Sequence, residues 1–261
     1  MTLPSPSKQL GQHFLVDDNI LGVIGRLAEL HPGDVALEIG PGPGGLTAYL
    51  ADHVAHVHAV ELDRRLQPYL EERFGDRANV ELRFADAVSL DPAELDPPPT
   101  KLVANLPYNV ATPIVVESLD RFPTLALWCV MVQREVADRF FAEPRTKAYG
   151  AVSVLVQLAA ERSGFHPVSR SVFRPQPNVD SALVAFRRRA SPPPAAWPEL
   201  KRVVEAAFAY RRKRLPNSIE LAGLADRRQA EEALARLGRG TATRAEELEP
   251  EEFVRLAATL R

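Results

Sequence analysis

Val35-Ala36-Leu37-Glu38-Ile39 is a short apolar run that passes straight into Gly40-Pro41-Gly42-Pro43-Gly44-Gly45, and a helical pattern begins at Leu46. A buried strand, a glycine turn and a helix in direct succession open a nucleotide-binding α/β fold. Glycine lets the backbone approach a ligand closely and adopt conformations closed to other residues. The spacing is G-x-G-x-G-G rather than the G-x-G-x-x-G of pyrophosphate sites, and two prolines stiffen it. Glu38, just before the turn, can face a cationic amino group or brace the loop.

The same construction repeats. His56-Val57-His58-Ala59-Val60 reads as a second strand ending at Glu61, and Val80–Phe84 as a third, closed by Ala85-Asp86-Ala87. Lys101–Ala104 is a fourth, ending in Asn105-Leu106-Pro107-Tyr108. Ligands of open α/β sheets sit at the carboxyl ends of the strands. Three consecutive ends therefore carry Glu61, Asp86 and Asn105 beside the glycine loop. Glu61 is placed for both hydroxyls of a ribose, or is a solvated strand-end carboxylate. Asp86 can accept from the exocyclic amine of an adenine. Pro107 fixes its own φ, removes an N–H and pushes Leu106 into an extended conformation. The resulting corner presents an amide, a carbonyl and the Tyr108 ring, which suits a planar ring bearing an amine. A dinucleotide dehydrogenase would share the glycine turn but would not explain this corner.

Leu125–Val132, Ser163–Val168 and Ala182–Phe186 complete seven strands. Helical patterns start at Asp17 or Asp18 and cover about 46–52, 64–74, 133–141 and 150–160, with a mobile polar loop over 143–149. Phe173 heads the proline-rich loop Phe173–Ser181; it either clamps a base against Tyr108 or covers the core edge. His13 is a ligand contact or a surface histidine. His56 and His58 alternate onto one face, partly exposed, without a metal-ligand partner pattern, so no metal is expected.

The 46% hydrophobic and 25% charged composition is that of an ordinary globular chain. Its one cysteine, Cys129, excludes an intrachain disulfide and a cysteine-based metal site. No apolar stretch is long enough for a membrane span. Cytoplasmic localisation is the resulting expectation. The net charge is −2, but residues 187–217 hold nine Lys/Arg against two Glu, while residues 1–186 are net acidic. Such a cluster is the footprint of a polyanion site or a solvated face. Residues 1–10 read as a flexible tail and Ser191-Pro192-Pro193-Pro194 as a linker. Beyond it the pattern is helical, over about 198–210, 216–222, 226–237 and 250–260. The organisation expected is a large domain over 1–190 and a helical domain over 197–261.

Taken in order, Gln12-His13-Phe14-Leu15, Glu38-Ile39-Gly40-Pro41-Gly42, Val60-Glu61-Leu62-Asp63, Asp86-Ala87, Asn105-Leu106-Pro107-Tyr108-Asn109, Phe173–Ser181 and Arg211-Arg212-Lys213 resemble the KsgA-type small-subunit ribosomal RNA adenine dimethyltransferases. The resemblance covers roughly residues 7 to 220. It implies an α/β, Rossmann-like seven-stranded methyltransferase sheet with a small all-helical C-terminal domain, and S-adenosylmethionine as methyl donor. His13 and Leu15 would close over the donor. Gly40 and Gly42 would approach its methionine part, Glu61 its ribose and Asp86 its adenine. Asn105, Leu106, Pro107, Tyr108 and Phe173 would hold the target base, and Arg187, Arg211, Arg212 and Lys213 the RNA. The substrate implied is two adjacent adenosines near the 3′ end of 16S rRNA, each dimethylated at N6, within the small ribosomal subunit or its precursor. Two residues depart from the pattern: His13 replaces a common asparagine, and Pro216 stands where relatives usually carry a basic residue. A large-subunit RNA methyltransferase of the antibiotic-resistance class, or a mainly structural assembly factor on the same fold, is the alternative.

Overall fold

The computed structural model describes residues 2–7, 10–191 and 196–260. The proline run read as a linker, Pro192–Pro194, lies outside them. Strands in chain order are β1 (Phe14–Leu15), β2 (Val35–Ile39), β3 (His56–Glu61), β4 (Val80–Phe84), β5 (Lys101–Asn105), β6 (Leu127–Gln133), β7 (Ala160–Val168), β8 (Phe173–Arg174) and β9 (Ser181–Arg188). Seven of them form one sheet in the order β4-β3-β2-β5-β6-β9-β7. The pairs from β4 through β6 are parallel and β9 runs antiparallel to β6. β2 and β6 are apolar along nearly their whole length because both faces of the sheet are covered.

The helices are α1 (Asp18–Leu27), α2 (Gly45–Ala51), α3 (Gln67–Phe74), α4 (Ala111–Arg121), α5 (Arg134–Phe140), α6 (Ala151–Ala159), α7 (Trp197–Phe208), α8 (Leu215–Leu221), α9 (Arg227–Arg236) and α10 (Pro250–Thr259). Asp17 caps α1 by accepting the Asn19 N–H at 2.9 Å. Ile20 and Ile24 of α1 pack with Leu46 and Leu50 of α2 against sheet residues Ala36, Val57 and Val103. The seven-stranded sheet agrees with the sequence reading. The pattern had not marked α4, nor the two-residue sheet in which β1 pairs antiparallel with β8.

Two segments expected to be mobile make specific contacts. In the N-terminal tail, Leu3 packs against the cluster Leu66, Leu70 and Phe74, and Ser7 and Gln12 exchange hydrogen bonds. In the 143–149 loop, Tyr149 is fully buried and donates to the Leu248 carbonyl at 2.8 Å, and the Arg145 N–H donates to Glu246 at 2.7 Å.

The chain separates into two compact units, and not in chain order. The first is Met1–Ala137 with Arg162–Arg188; the second is Asp138–Glu161 with Arg189–Arg261. Residues 138–161 therefore group with the C-terminal helices: α6 packs on α7 and α10.

Candidate active site

One cavity in the first unit opens at the carboxyl ends of β2, β3 and β5. Its lining includes Gly40, Gly42, Glu61 and the corner Asn105–Tyr108, with His13 and Leu15 from the segment before α1. The strand-end logic of the sequence is thus realised at three of four strands. Gly40 and Gly42 have φ of +74° and +54°. A Cβ on Gly42 would also crowd the Phe14 ring at 3.0 Å, whereas one on Gly40 would meet Pro107 at an ordinary 3.6 Å, so at Gly40 the left-handed φ is what favours glycine.

Glu61 is nearly buried, and both its oxygens accept main-chain N–H groups, Gly42 at 3.1 Å and Asp63 at 2.8 Å. Burial raises its pKa, and these two N–H groups partly oppose the shift. The carboxylate therefore ties the glycine loop to the end of β3 while facing the cavity. Asp63 accepts from Arg65 and from the Gln12 amide at 3.0 Å, which anchors the segment before His13 across the site.

Glu38 also lines the cavity and is fully buried. Its Oε2 has no hydrogen-bond partner, and the nearby Thr47 hydroxyl lacks one of proper geometry. Burial pushes the carboxyl up to about 8; Thr47 offsets this only in part, and the Glu61 charge adds to it. The sequence singled out Glu38 beside the glycine turn without committing it to the site.

At the corner, the Asn105 amide donates to the His13 carbonyl at 3.0 Å. The Leu106 N–H donates to Met131 at 3.0 Å, so this peptide extends the β5–β6 ladder. The Tyr108 hydroxyl lies 2.6 Å from Ser181 Oγ, and burial raises its pKa. One face of the Tyr108 ring is stacked on His13, with centroids 5.3 Å apart. His13 Nδ1 donates to the Pro175 carbonyl at 2.7 Å. His13 is therefore a fixed part of the site rather than a free surface histidine.

Two assigned residues lie elsewhere. Phe173 is fully buried in the main core and does not line the cavity. The register explains this: Phe173 pairs with Leu15 and Arg174 with Phe14, and alternation turns Phe173 inward and Arg174 out. A ring with no exposed face cannot clamp a base, so of its two sequence readings the core one holds. Asp86 is exposed beyond β4 and outside the cavity lining; its Oδ1 caps a turn by accepting the Val88 N–H at 2.9 Å. His58, expected to be partly exposed, is completely buried.

The basic cluster divides as well. Arg187 is ion-paired with Glu29. Arg188 donates to the carbonyls of Leu119, Phe122 and Leu125 and covers the Trp128 ring. Arg211 bridges Glu246 and the carbonyls of Thr146 and Lys147. Arg212 and Lys213 are exposed. Pro216 sits in the first turn of α8, where no backbone N–H is needed.

A seven-stranded sheet with a glycine turn after β2, an antiparallel β9 and a cavity at its strand ends is the α/β arrangement that this chain shares with the ribosomal RNA methyltransferases compared below. The family described as "Ribosomal RNA adenine dimethylase" matches residues 5–261. Ribosomal RNA small subunit methyltransferase A of Rubrobacter xylanophilus is 49% identical, over 97% of this chain and 94% of its own length. Its namesake from Thermobifida fusca is 46% identical, over 97% and 89%. Among solved structures, the 23S rRNA methyltransferase ErmE is 32% identical with a TM-score of 0.66, over 95% of this chain and 99% of its own. A dimethyladenosine transferase from Plasmodium falciparum shares the fold, with a TM-score of 0.77 at 24% identity over 94% and 96%. The chain belongs to the ribosomal RNA adenine dimethylase family.

Proposed function

We propose that this protein transfers methyl groups from S-adenosylmethionine to N6 of two adjacent adenosines in a hairpin loop near the 3′ end of 16S rRNA. The observation that carries the reading is the Asn105–Tyr108 corner opening into the same cavity as Glu38, Gly40, Gly42 and Glu61. The donor set fits the cofactor: Glu38 offers a buried, unpartnered carboxylate oxygen to a cationic amine, and Glu61 offers acceptors to ribose hydroxyls. Asp86, outside the lining, would reach an adenine amine from the rim. The relatives named for the small subunit support the choice of substrate.

When bound, the cofactor supplies an electrophilic methyl on a sulfonium. In the first transfer Asn105 Oδ1 and the Leu106 carbonyl would accept the two hydrogens of the adenine amine; the methylated amine then gives up one proton to water, and in the second transfer one of these acceptors would hold the hydrogen that remains. The base takes the Tyr108 face that His13 leaves uncovered, without Phe173. Positioning of this kind supplies much of a rate enhancement, and no side chain need act as a strong base. Arg212 and Lys213 contact phosphates.

The test is incubation with isotopically labelled S-adenosylmethionine and, in parallel reactions, purified small ribosomal subunits lacking the modification and purified large subunits, followed by mapping of labelled nucleotides. Two adjacent N6-dimethyladenosines in 16S rRNA are expected. Label found only in 23S rRNA, or in neither RNA, overturns the proposal.

A further inference from the structure

We propose that His56, His58 and Glu81 form a binding site for one divalent transition-metal ion of the zinc class, spanning β3 and β4. His56 and His58 are two residues apart on β3 and share a face of the sheet, and the register sets Glu81 of β4 directly opposite His58. One ligand atom from each lies within 4.8 Å of the others. The pattern escapes a reading of the sequence because the third ligand comes from another strand.

The proton positions argue for a cation. His58 is completely buried, and its Nε2 lies 2.8 Å from the Pro97 carbonyl. A carbonyl only accepts, so Nε2 carries the proton, and in a neutral ring Nδ1 is then a bare lone pair. That lone pair lies 2.9 Å from Glu81 Oε2, an acceptor, and makes no hydrogen bond. His56 Nε2 is likewise buried without a hydrogen-bond partner, 3.8 Å from the same oxygen. A proton on His58 would join one pair and leave His56 Nε2 orphaned. A metal ion satisfies all three atoms at once.

The surroundings are those of a metal site. The Pro97 carbonyl orients His58 through its remote nitrogen, the usual outer-shell arrangement for a ligating histidine. Arg83 holds the other oxygen of Glu81 at 2.9 Å, and Glu94 balances the Arg83 charge at 2.9 Å. Asp96 adds negative charge near His56. Two imidazoles and a carboxylate, with water in the fourth position, suit zinc, and cobalt as its spectroscopic substitute. His58 lies three residues before Glu61 along β3, on the order of 10 Å. The ion would thus tie β3 to β4 and to the Pro97 loop, stabilising the strand that ends in Glu61.

The test uses tag-free, chelator-treated full-length protein titrated with zinc by calorimetry and with cobalt by visible absorption. One ion per chain is expected, with cobalt bands of a four-coordinate site and a raised melting temperature. Binding should weaken at least tenfold in both His56→Ala and Glu81→Gln, two partly exposed positions that leave the buried His58 in place. A control variant, His31→Ala, should bind as the parent does. No saturable binding to the parent, or affinity unchanged in both variants, overturns the proposal. So does a nitrogen-15 spectrum showing His58 doubly protonated in the presence of excess zinc.

Discussion

The side-chain amide of Asn105, at the end of β5, donates to the main-chain carbonyl of His13 at 3.0 Å. A carbonyl cannot donate, so the orientation of the amide is determined: Nδ2 faces His13, and Oδ1 is turned away from it. The residue proposed to accept an amine hydrogen is therefore aimed by the segment that closes over the cavity. Asn105→Asp tests this. It keeps an acceptor but sets a carboxylate oxygen against the His13 carbonyl. Methyl transfer should fall about 100-fold in Asn105→Asp, and at least as far in Asn105→Ala, because small misplacements carry such costs. Single-turnover rates with saturating cofactor check it; a rate in Asn105→Asp equal to the parent's would remove the amide's orientation from the mechanism.

Glu61 braces the fold, and in the proposed function it would also hold the ligand. Its two oxygens brace Gly42 and Asp63 before any ribose arrives. Glu61→Gln replaces one acceptor by an NH2 group facing a backbone N–H. Hydrogen bonds to charged groups are worth about 1.5–3 kcal/mol, so cofactor affinity should weaken roughly 10- to 100-fold. Calorimetric titration of the cofactor reads this directly, and an unchanged Kd would reduce Glu61 to a structural brace.

In the proposed function, Glu38 would give the cofactor site a pH dependence. Its carboxyl is raised by burial from 4.5 to about 8. The folded apoprotein thus holds a proton that the unfolded chain has lost, and stability falls as pH rises from about 4.5 to 8. Glu38→Gln removes the titrating group, so its stability relative to the parent should increase across that window. A cationic ligand facing Glu38 favours the ionised form. Cofactor affinity should then rise with pH toward about 8, at most about tenfold per pH unit, with release of up to one proton. Calorimetry in two buffers of different ionisation enthalpy counts that proton, and zero release at pH 6.5 would detach Glu38 from the cofactor.

Tyr108 is held by Ser181 at its hydroxyl and by His13 at one ring face. Tyr108→Phe keeps the stacking surface and loses a hydrogen bond of about 0.5–1.5 kcal/mol, so activity should drop by no more than about tenfold. Tyr108→Ala removes the surface and should abolish transfer while cofactor affinity holds. Equal losses in the two variants would assign the role to the hydroxyl instead.

The main sheet was readable because its strands are continuous apolar runs separated by turn residues, and the cavity because strand ends repeat a polar residue in the same place. Other features depend on tertiary context. Pro113, Ile114, Val115 and Val116 are poor helix formers by propensity, yet they lie in α4, where Ile114, Val115 and Val116 bury against their surroundings. α6 runs into β7 without a loop, the backbone turning extended at Ala160, so no punctuation marks the boundary. Phe173 could not be placed because its direction depends on the register of a two-residue strand pair. Glu81 could not be joined to His58 because only the β3–β4 pairing brings them together.

The basic cluster yields a prediction that composition alone would get wrong. Arg211 is committed to Glu246 and to the carbonyls of Thr146 and Lys147, whereas Arg212 and Lys213 are exposed. Neutralising Arg212 and Lys213 together should weaken RNA binding and lower the slope of log K against log salt by about 1.4–1.8, with thermal stability nearly unchanged. Arg211→Ala should do the reverse. It leaves two carbonyls and a partly buried carboxylate without their donor, so the melting temperature should drop by a few degrees while the salt slope stays close to the parent's. Filter binding of 16S rRNA fragments across a salt series, paired with thermal unfolding, separates the two effects. A slope lowered by Arg211→Ala and untouched by the double variant would place the phosphate contact at Arg211.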